Sequence, residues 1–126
     1  MANVINEPGE AFRVEEMGFS DSAVAFTIET KPVASNEIWD VRTLAVIDDT
    51  NNATRAILKV GRLGVEKEAY ESGALTAAVP EYYPGFLYLT DGEHIQVTFY
   101  GTTLADKCRF IVTGLHKRQR PAVGTI

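Results

Sequence analysis

Two stretches near the C-terminal end, His94-Ile-Gln-Val-Thr-Phe-Tyr100 and Cys108-Arg-Phe-Ile-Val-Thr-Gly-Leu115, constrain the fold more than any other part of the chain. In the first, Ile95, Val97 and Phe99 alternate with His94, Gln96, Thr98 and Tyr100. That period of two is the signature of a strand with one buried face. The second is enriched in β-branched and aromatic residues, follows the first across the short link 101–107, and reads as its successor strand. Asp91-Gly92 turns the chain into the pair.

The same grammar recurs upstream. Residues 12–17 form a first strand bounded by Gly18, and 23–30 a second, in which Val24, Phe26 and Ile28 alternate before Pro32 ends it. Residues 38–47 are the longest apolar-rich run, with apolar residues on both parities, which implies either a bulge or burial of both faces. Asp48-Asp49-Thr50-Asn51-Asn52 is a turn cluster, since Asx side chains satisfy nearby backbone groups. Residues 53–60 make another strand, with a helix as the rival because Arg55 and Lys59 stand at i,i+4. Residues 64–73 read as an edge strand, with a short helix as the alternative, 74–85 as a loop broken by Pro80, Pro84 and Gly85, and 86–89 as a short strand.

Roughly eight short strands at roughly ten-residue spacing, with little helix, indicate an all-β chain folded as a single antiparallel β-sandwich, jelly-roll or Greek-key like. The 126 residues, 45% of them hydrophobic, suit one domain with a core that needs no metal or disulfide. The expected organisation is an N-terminal arm over 1–10, a sandwich over 11–115 and a C-terminal arm over 116–126. Cys108, the single cysteine, reads as a buried hydrophobe. No segment has the pattern of a signal peptide or of a membrane span of ~20 apolar residues, so a soluble protein made in the cytoplasm is expected. A net charge of −5 argues against nucleic-acid binding, and Lys117-Arg118-Gln119-Arg120 is too short to reverse that.

No residue is assigned a catalytic, cofactor-binding or metal role. His94 and His116 lie far apart without cysteine or acidic companions at ligand spacing, so both are expected to be ordinary surface histidines. The 48–52 run lacks the alternation and closing glutamate of a calcium loop. Glu15, Glu16, Glu66, Glu68 and Glu71 are expected on solvated strand faces. Phe26, Trp39, Phe99 and Phe110 fall on inward parity and are expected in the core. Tyr82, Tyr83, Phe86 and Tyr88 crowd around Pro80 and Pro84, where aromatic side chains suit a protein interface, a cap on the sandwich or a sugar-stacking platform, in that order. Lys117, Arg118 and Arg120 make a basic tail suited to an acidic neighbour. Apolar residues on the second parity (Leu44, Val46, Ile111, Leu115) suggest that neighbouring subunits cover an outer face.

The succession Glu37-Ile-Trp-Asp-Val-Arg-Thr-Leu-Ala-Val, an Asx turn, Ala-Thr-Arg-Ala-Ile-Leu-Lys-Val, and then the run from Leu89 to Gly114 resembles small β-sandwich virion proteins of tailed bacteriophages. The shared features are a Gly-Asp/Glu-x-Ile strand, a Gly-x-Thr-x-x-Asp link and a last strand ending in glycine, over residues 37–115. The resemblance implies a non-enzymatic capsid cementing or decoration protein, or a head or tail accessory protein. It would be located in the virion and bound to the major capsid protein or other virion subunits as a homo-oligomer, with no nucleic acid or membrane partner. A carbohydrate-binding module is the rival class, resting on the tyrosine-rich loop.

Overall fold

The computed structural model describes residues 4–6, 9–22 and 24–121. Among them there is no helix. The strands are β1 (Val4–Asn6), β2 (Glu10–Phe19), β3 (Ala25–Glu29), β4 (Glu37–Asp48), β5 (Arg55–Arg62), β6 (Lys67–Glu71), β7 (Glu81–Tyr82), β8 (Leu87–Leu89), β9 (Glu93–Tyr100) and β10 (Lys107–Pro121). They pair in a nested order: β2 with β10, β3 with β9, β4 with β7 and β8, and β5 with β6. Ladders from β10 to β4 and from β9 to β5 join these pairs into two antiparallel sheets. Counting β7 and β8 as one interrupted strand, the sheets run β2-β10-β4-β7/β8 and β3-β9-β5-β6, with β1 added at the far end of β10. This is the winding of a jelly roll, one long hairpin wrapped so that its successive pairs fall in alternate sheets.

The core lies between the sheets. Ile95, Val97 and Phe99 of β9 are fully buried, as their alternation requires, and they meet Cys108, Phe110 and Val112 of β10 from the facing sheet. Phe99 and Phe110 are thus in the core as expected. Phe26 and Trp39 are only half-buried at its margin, where Trp39 packs on Phe12 with ring centroids 5.1 Å apart.

The two-parity run of β4 has a geometric cause. The β10–β4 register shifts between Thr113 and Gly114, so Arg42 is an extra residue between Val41 and Thr43. Such a bulge reverses the parity. Val41 faces the core below it, and Leu44 and Val46 face the core above it. A Cβ on Gly114 would lie 2.1 Å from the Asp40 carbonyl oxygen, so only glycine permits the close backbone approach. Ala45 and Ile47 then fall on the outer side, where they are still buried.

Several segments differ from the sequence reading. Leu44 and Val46, expected on a second face, are core residues because of the bulge. The Asp91-Gly92 turn forms with Gly92 at φ 79° and a bond from the Glu93 N–H to the Thr90 carbonyl. It nevertheless carries the chain from one sheet to the other, because β8 pairs with β4 while β9 pairs with β3 and β5. Part of the expected 74–85 loop is strand β7.

The C-terminal arm also requires correction: through Pro121 it is the end of β10. Lys117 and Arg118 are in register with Ile38 and Glu37 of β4, and Gln119–Pro121 pair with β1, itself part of the expected N-terminal arm. A polar sequence hides such a strand, because the ladder bonds its backbone and not its side chains. The rest of both arms (residues 1–3, 7–8 and 122–126) lies outside the described residues.

Candidate interface

The aromatic cluster is built on the free side of β4. β7 and β8 each pair with it, Tyr82 opposite Ala45 and Tyr88 opposite Asp40. Directly opposed residues in an antiparallel ladder share a face. Ala45 stands on the outer face, so Tyr82 does too, 61% exposed; Tyr88, opposite Asp40, is 56% exposed. Between the two strands the chain leaves the ladder at Tyr83-Pro84-Gly85-Phe86, as expected where proline offers no N–H. Phe86, in this excursion, is 76% exposed.

Tyr83 behaves differently from its neighbours. Its N–H donates to the Leu44 carbonyl at 2.9 Å, and its ring turns in to meet Tyr70 of β6. It packs against the core, so the grouping of all four aromatics as one exposed set does not hold. Tyr70 donates to a Glu81 carboxylate oxygen at 3.4 Å, and burial together with that carboxylate raises its phenol above the ordinary range.

Beside Tyr88 sits a charged group on the same outer face. Asp40 accepts two bonds from the Arg42 guanidinium, at 2.8 and 3.1 Å, and its other neighbour is the Lys117 ammonium at 3.7 Å. The Arg42 pairing, followed by Lys117, holds the Asp40 carboxyl below its usual range. The structure therefore brings Lys117 together with Tyr88, through Asp40. Arg118 is apart from the aromatics, 3.9 Å from Glu37. Of Arg120 only the backbone register, opposite Ile5, is described. Across the outer face from Tyr82 run Ala45, Ile111 and Glu15 in one row, and from Tyr88 run Asp40, Leu115 and Ala11 in another. Ile111 and Leu115 are half-buried there.

Two other polar groups depart from the sequence reading. His94 is buried, 2% exposed, because the β5–β6 turn folds over it; Nε2 lies 2.6 Å from Glu66 and Nδ1 lies 3.7 Å from Glu29. That pairing also corrects Glu66, expected on a solvated face; its carboxyl is held below the usual range, chiefly by the His94 hydrogen bond. His116 is half-buried, with Nε2 3.5 Å from Glu10 and its ring edge-on to Phe12. The 48–52 turn has the expected Asx geometry: Asp48 Oδ1 accepts the N–H groups of Thr50 and Asn51. Asp106 and Ser20, which join this turn to two other loops, carried no signal in the pattern. Nothing in alternation marks a polar residue that folding will bury. Cys108 is fully buried, with its thiol pushed up to about 12 by burial and by Asp48, Asp106 and Asp49. Among the described residues no three His, Cys, Asp or Glu side chains converge as metal ligands would, and no helix could cross a membrane.

No protein-family model matches the chain, and no curated protein does. Solved structures that it resembles include infectious bursal disease virus, Gt strain, with a TM-score of 0.38 and 10% identity over 94% of this chain and 33% of that one. The Gx strain of the same virus gives a TM-score of 0.40 and 9% identity over 98% and 34%. An exo-beta-1,3-galactanase from Phanerochaete chrysosporium, crystallised with galactose, gives 0.37 and 17% over 85% and 29%. The chain spans about a third of the length of each of these proteins. Similarity of this degree identifies neither a family nor a function.

Proposed function

We propose that this chain is a non-catalytic structural subunit that binds other subunits of a virion through the edge carrying Tyr82, Phe86 and Tyr88. The observation that carries the reading is the exposure of these three rings along one edge of an ordered sheet, where a partner can bury them without further folding. Burying what remains exposed of the three aromatic side chains supplies about 300–500 Å². A specific interface takes about 800 Å² from each partner. The edge is therefore a centre and not the whole contact, and the half-buried Ile111 and Leu115, in the outward rows of Tyr82 and Tyr88, extend it.

Jelly rolls serve viral shells and lectins alike, so the winding does not choose between them. The resemblance of residues 37–115 to tailed-phage virion proteins favours the shell. The chain is then a capsid cementing or decoration subunit, bound to the major capsid protein and associated with its own copies in closed symmetry. A head or tail accessory role is the neighbouring assignment.

The test is co-sedimentation of the purified chain with phage shells lacking it, compared with the Tyr82→Ala/Tyr88→Ala variant. Loss of shell binding with an unchanged far-UV spectrum supports the reading. Undiminished binding by the variant overturns the assigned edge. Saturable binding of a polysaccharide through the same tyrosines, without shell binding, makes the domain a carbohydrate-binding module instead.

A further inference from the structure

Two carboxyls are buried together at the end of the sandwich where β4 leads to β5, β9 to β10 and β2 to β3. Asp48 ends β4 and Asp106 immediately precedes β10; both side chains are fully buried, and Asn51 bonds both of them, through its N–H and its side-chain amide. Of their four oxygens, three are committed. Asp48 Oδ1 accepts the N–H groups of Thr50 and Asn51, Asp106 Oδ1 accepts Asn51 Nδ2 at 2.6 Å, and Asp106 Oδ2 accepts the Thr103 N–H at 3.0 Å. The fourth, Asp48 Oδ2, is buried without a donor among the described residues.

A second negative charge is least tolerable at that oxygen, since it is buried and has no donor among the described residues. A proton there removes the charge and provides the missing donor in one step. A metal ion fits worse, because it needs several uncommitted lone pairs and one oxygen remains.

Among the described residues, the charged groups around the pair do not supply a counter-ion. Asp49, next in the β4–β5 turn, is held by Arg109 of β10 at 2.7 Å, and Arg109 also binds Glu15 of β2. The Cys108 thiol, pushed up to about 12, stays neutral. Lys107 and Asp21 are exposed, and Glu16 lies opposite Phe110 on β2. The segment after β6 contributes the Ala78 N–H, on the Asp48 carbonyl.

We propose that Asp48 and Asp106 hold one proton between them, carried on Asp48 Oδ2, and that this proton latches the three loops at this end of the sandwich. The β4–β5 turn enters through Asn51, and the β9–β10 link through Asp106 and Thr103. The β2–β3 loop enters through Ser20, whose N–H donates to the Asp106 carbonyl and whose hydroxyl accepts the Asp106 N–H. Phe19, at the end of β2, and Val24 and Leu104 in the latched loops are all exposed, so the proton also sets the rigidity around these apolar side chains.

The direction of the pH response follows from the two carboxyls. Burial, then the contact with Asp106, raises Asp48 above the usual aspartate range. Its contribution is complete below the unfolded value and is lost as pH rises through the raised folded one. Burial works to raise Asp106 as well, but hydrogen bonds involving Asn51, Asp48 and Thr103 outweigh it and leave Asp106 lowered. Its contribution is present above the unfolded value and is lost as pH falls through the lowered folded one. The latch is closed between the two and opens on the alkaline side.

The test uses the full chain and Asp48→Asn, whose amide can donate to Asp106 without titrating. Melting temperature and amide exchange at Asn51 and Thr103 are followed from acid to alkaline pH. Wild type is expected to lose stability as Asp48 deprotonates, and its two amides to exchange roughly tenfold faster than in Asp48→Asn once the proton is gone. Parallel profiles for the two proteins would overturn the latch. Should Asp48→Asn fail to fold, the carboxyl carbon shift of Asp48 in wild type decides: titration above that of a peptide of residues 46–54 supports the shared proton, and titration at or below it refutes it.

Discussion

Tyr70 and Tyr83 meet edge to face, with ring centroids 5.5 Å apart and planes at 69°. One comes from β6, the edge of the smaller sheet, and the other from the break between β7 and β8 at the edge of the larger sheet. Their contact ties the two edges together along one flank of the sandwich. On the other flank the Phe26 ring lies over Gly18, so closely that a Cβ there would come within 2.8 Å of it. Adjacent tyrosines in the sequence therefore have different work, Tyr83 inside the flank and Tyr82 outside it.

Tyr83→Ala is accordingly expected to cost about 1–3 kcal/mol, from lost burial and the aromatic contact. Tyr82→Ala should stay within about 0.5 kcal/mol of wild type, as exposed substitutions do. Urea denaturation of both variants checks this. Equal destabilisation by the two would place Tyr82 in the fold as well.

Phe99 and Phe110 are both fully buried and enter the same core from opposite sheets. Truncating either to alanine is expected to cost about 3–5 kcal/mol. That is a large share of the stability of a domain this size, so reduced soluble yield and a much lower melting temperature are the readouts. A near-native melting curve for either variant would contradict the core described above.

Gly92 and Gly101 both have positive φ, 79° and 68°, but their surroundings differ. A Cβ on Gly92 would first meet the Arg62 side chain at 3.4 Å, whereas one on Gly101 would lie 2.0 Å from Thr54 Oγ1. Gly92→Ala should cost about 1–2 kcal/mol of backbone strain alone. Gly101→Ala adds a steric clash to the same strain and should be the more destabilising of the two. Thermal unfolding of the pair gives the order, and the reverse order would refute the Thr54 contact.

Ending the chain after His116 removes the partners of Ile38 and Glu37 on β4 and of β1. Ile38 is 3% exposed beside Lys117, and uncovering it is expected to cost about 1–3 kcal/mol. A truncated chain with an unchanged melting temperature would show that residues 117–121 add nothing to the sheet.

Much of the framework was readable from local pattern. The alternation of Ile95, Val97 and Phe99 placed β9 and its buried face, and the Asp/Asn run placed the β4–β5 turn with its Asp48 geometry. The exposure of Tyr82, Phe86 and Tyr88 agrees with aromatics set among prolines. The inward turn of Tyr83 had no local signal, because a bond to Leu44 and a ring from β6 produce it. His94 looked like a surface residue because its position has polar parity; the β5–β6 turn that covers it comes from a distant part of the chain.

The sequence by itself determined that this chain is all β, roughly where its strands and turns fall, and that Phe99 and Phe110 lie in its core, while the expected Phe26 and Trp39 stand at its margin. These follow from backbone preference and side-chain period, which act over a few neighbouring residues. Tertiary structure alone decided the nested pairing of β2 with β10 and β3 with β9, the bulge that reverses the parity of β4, and the extension of β10 through a polar terminus. It also decided the burial of Asp48 against Asp106, held by an asparagine 55 positions away from the latter. Each of these depends on backbone and polar groups satisfying one another across long separations, and a ladder or a shared proton leaves no periodic mark on the residues that make it.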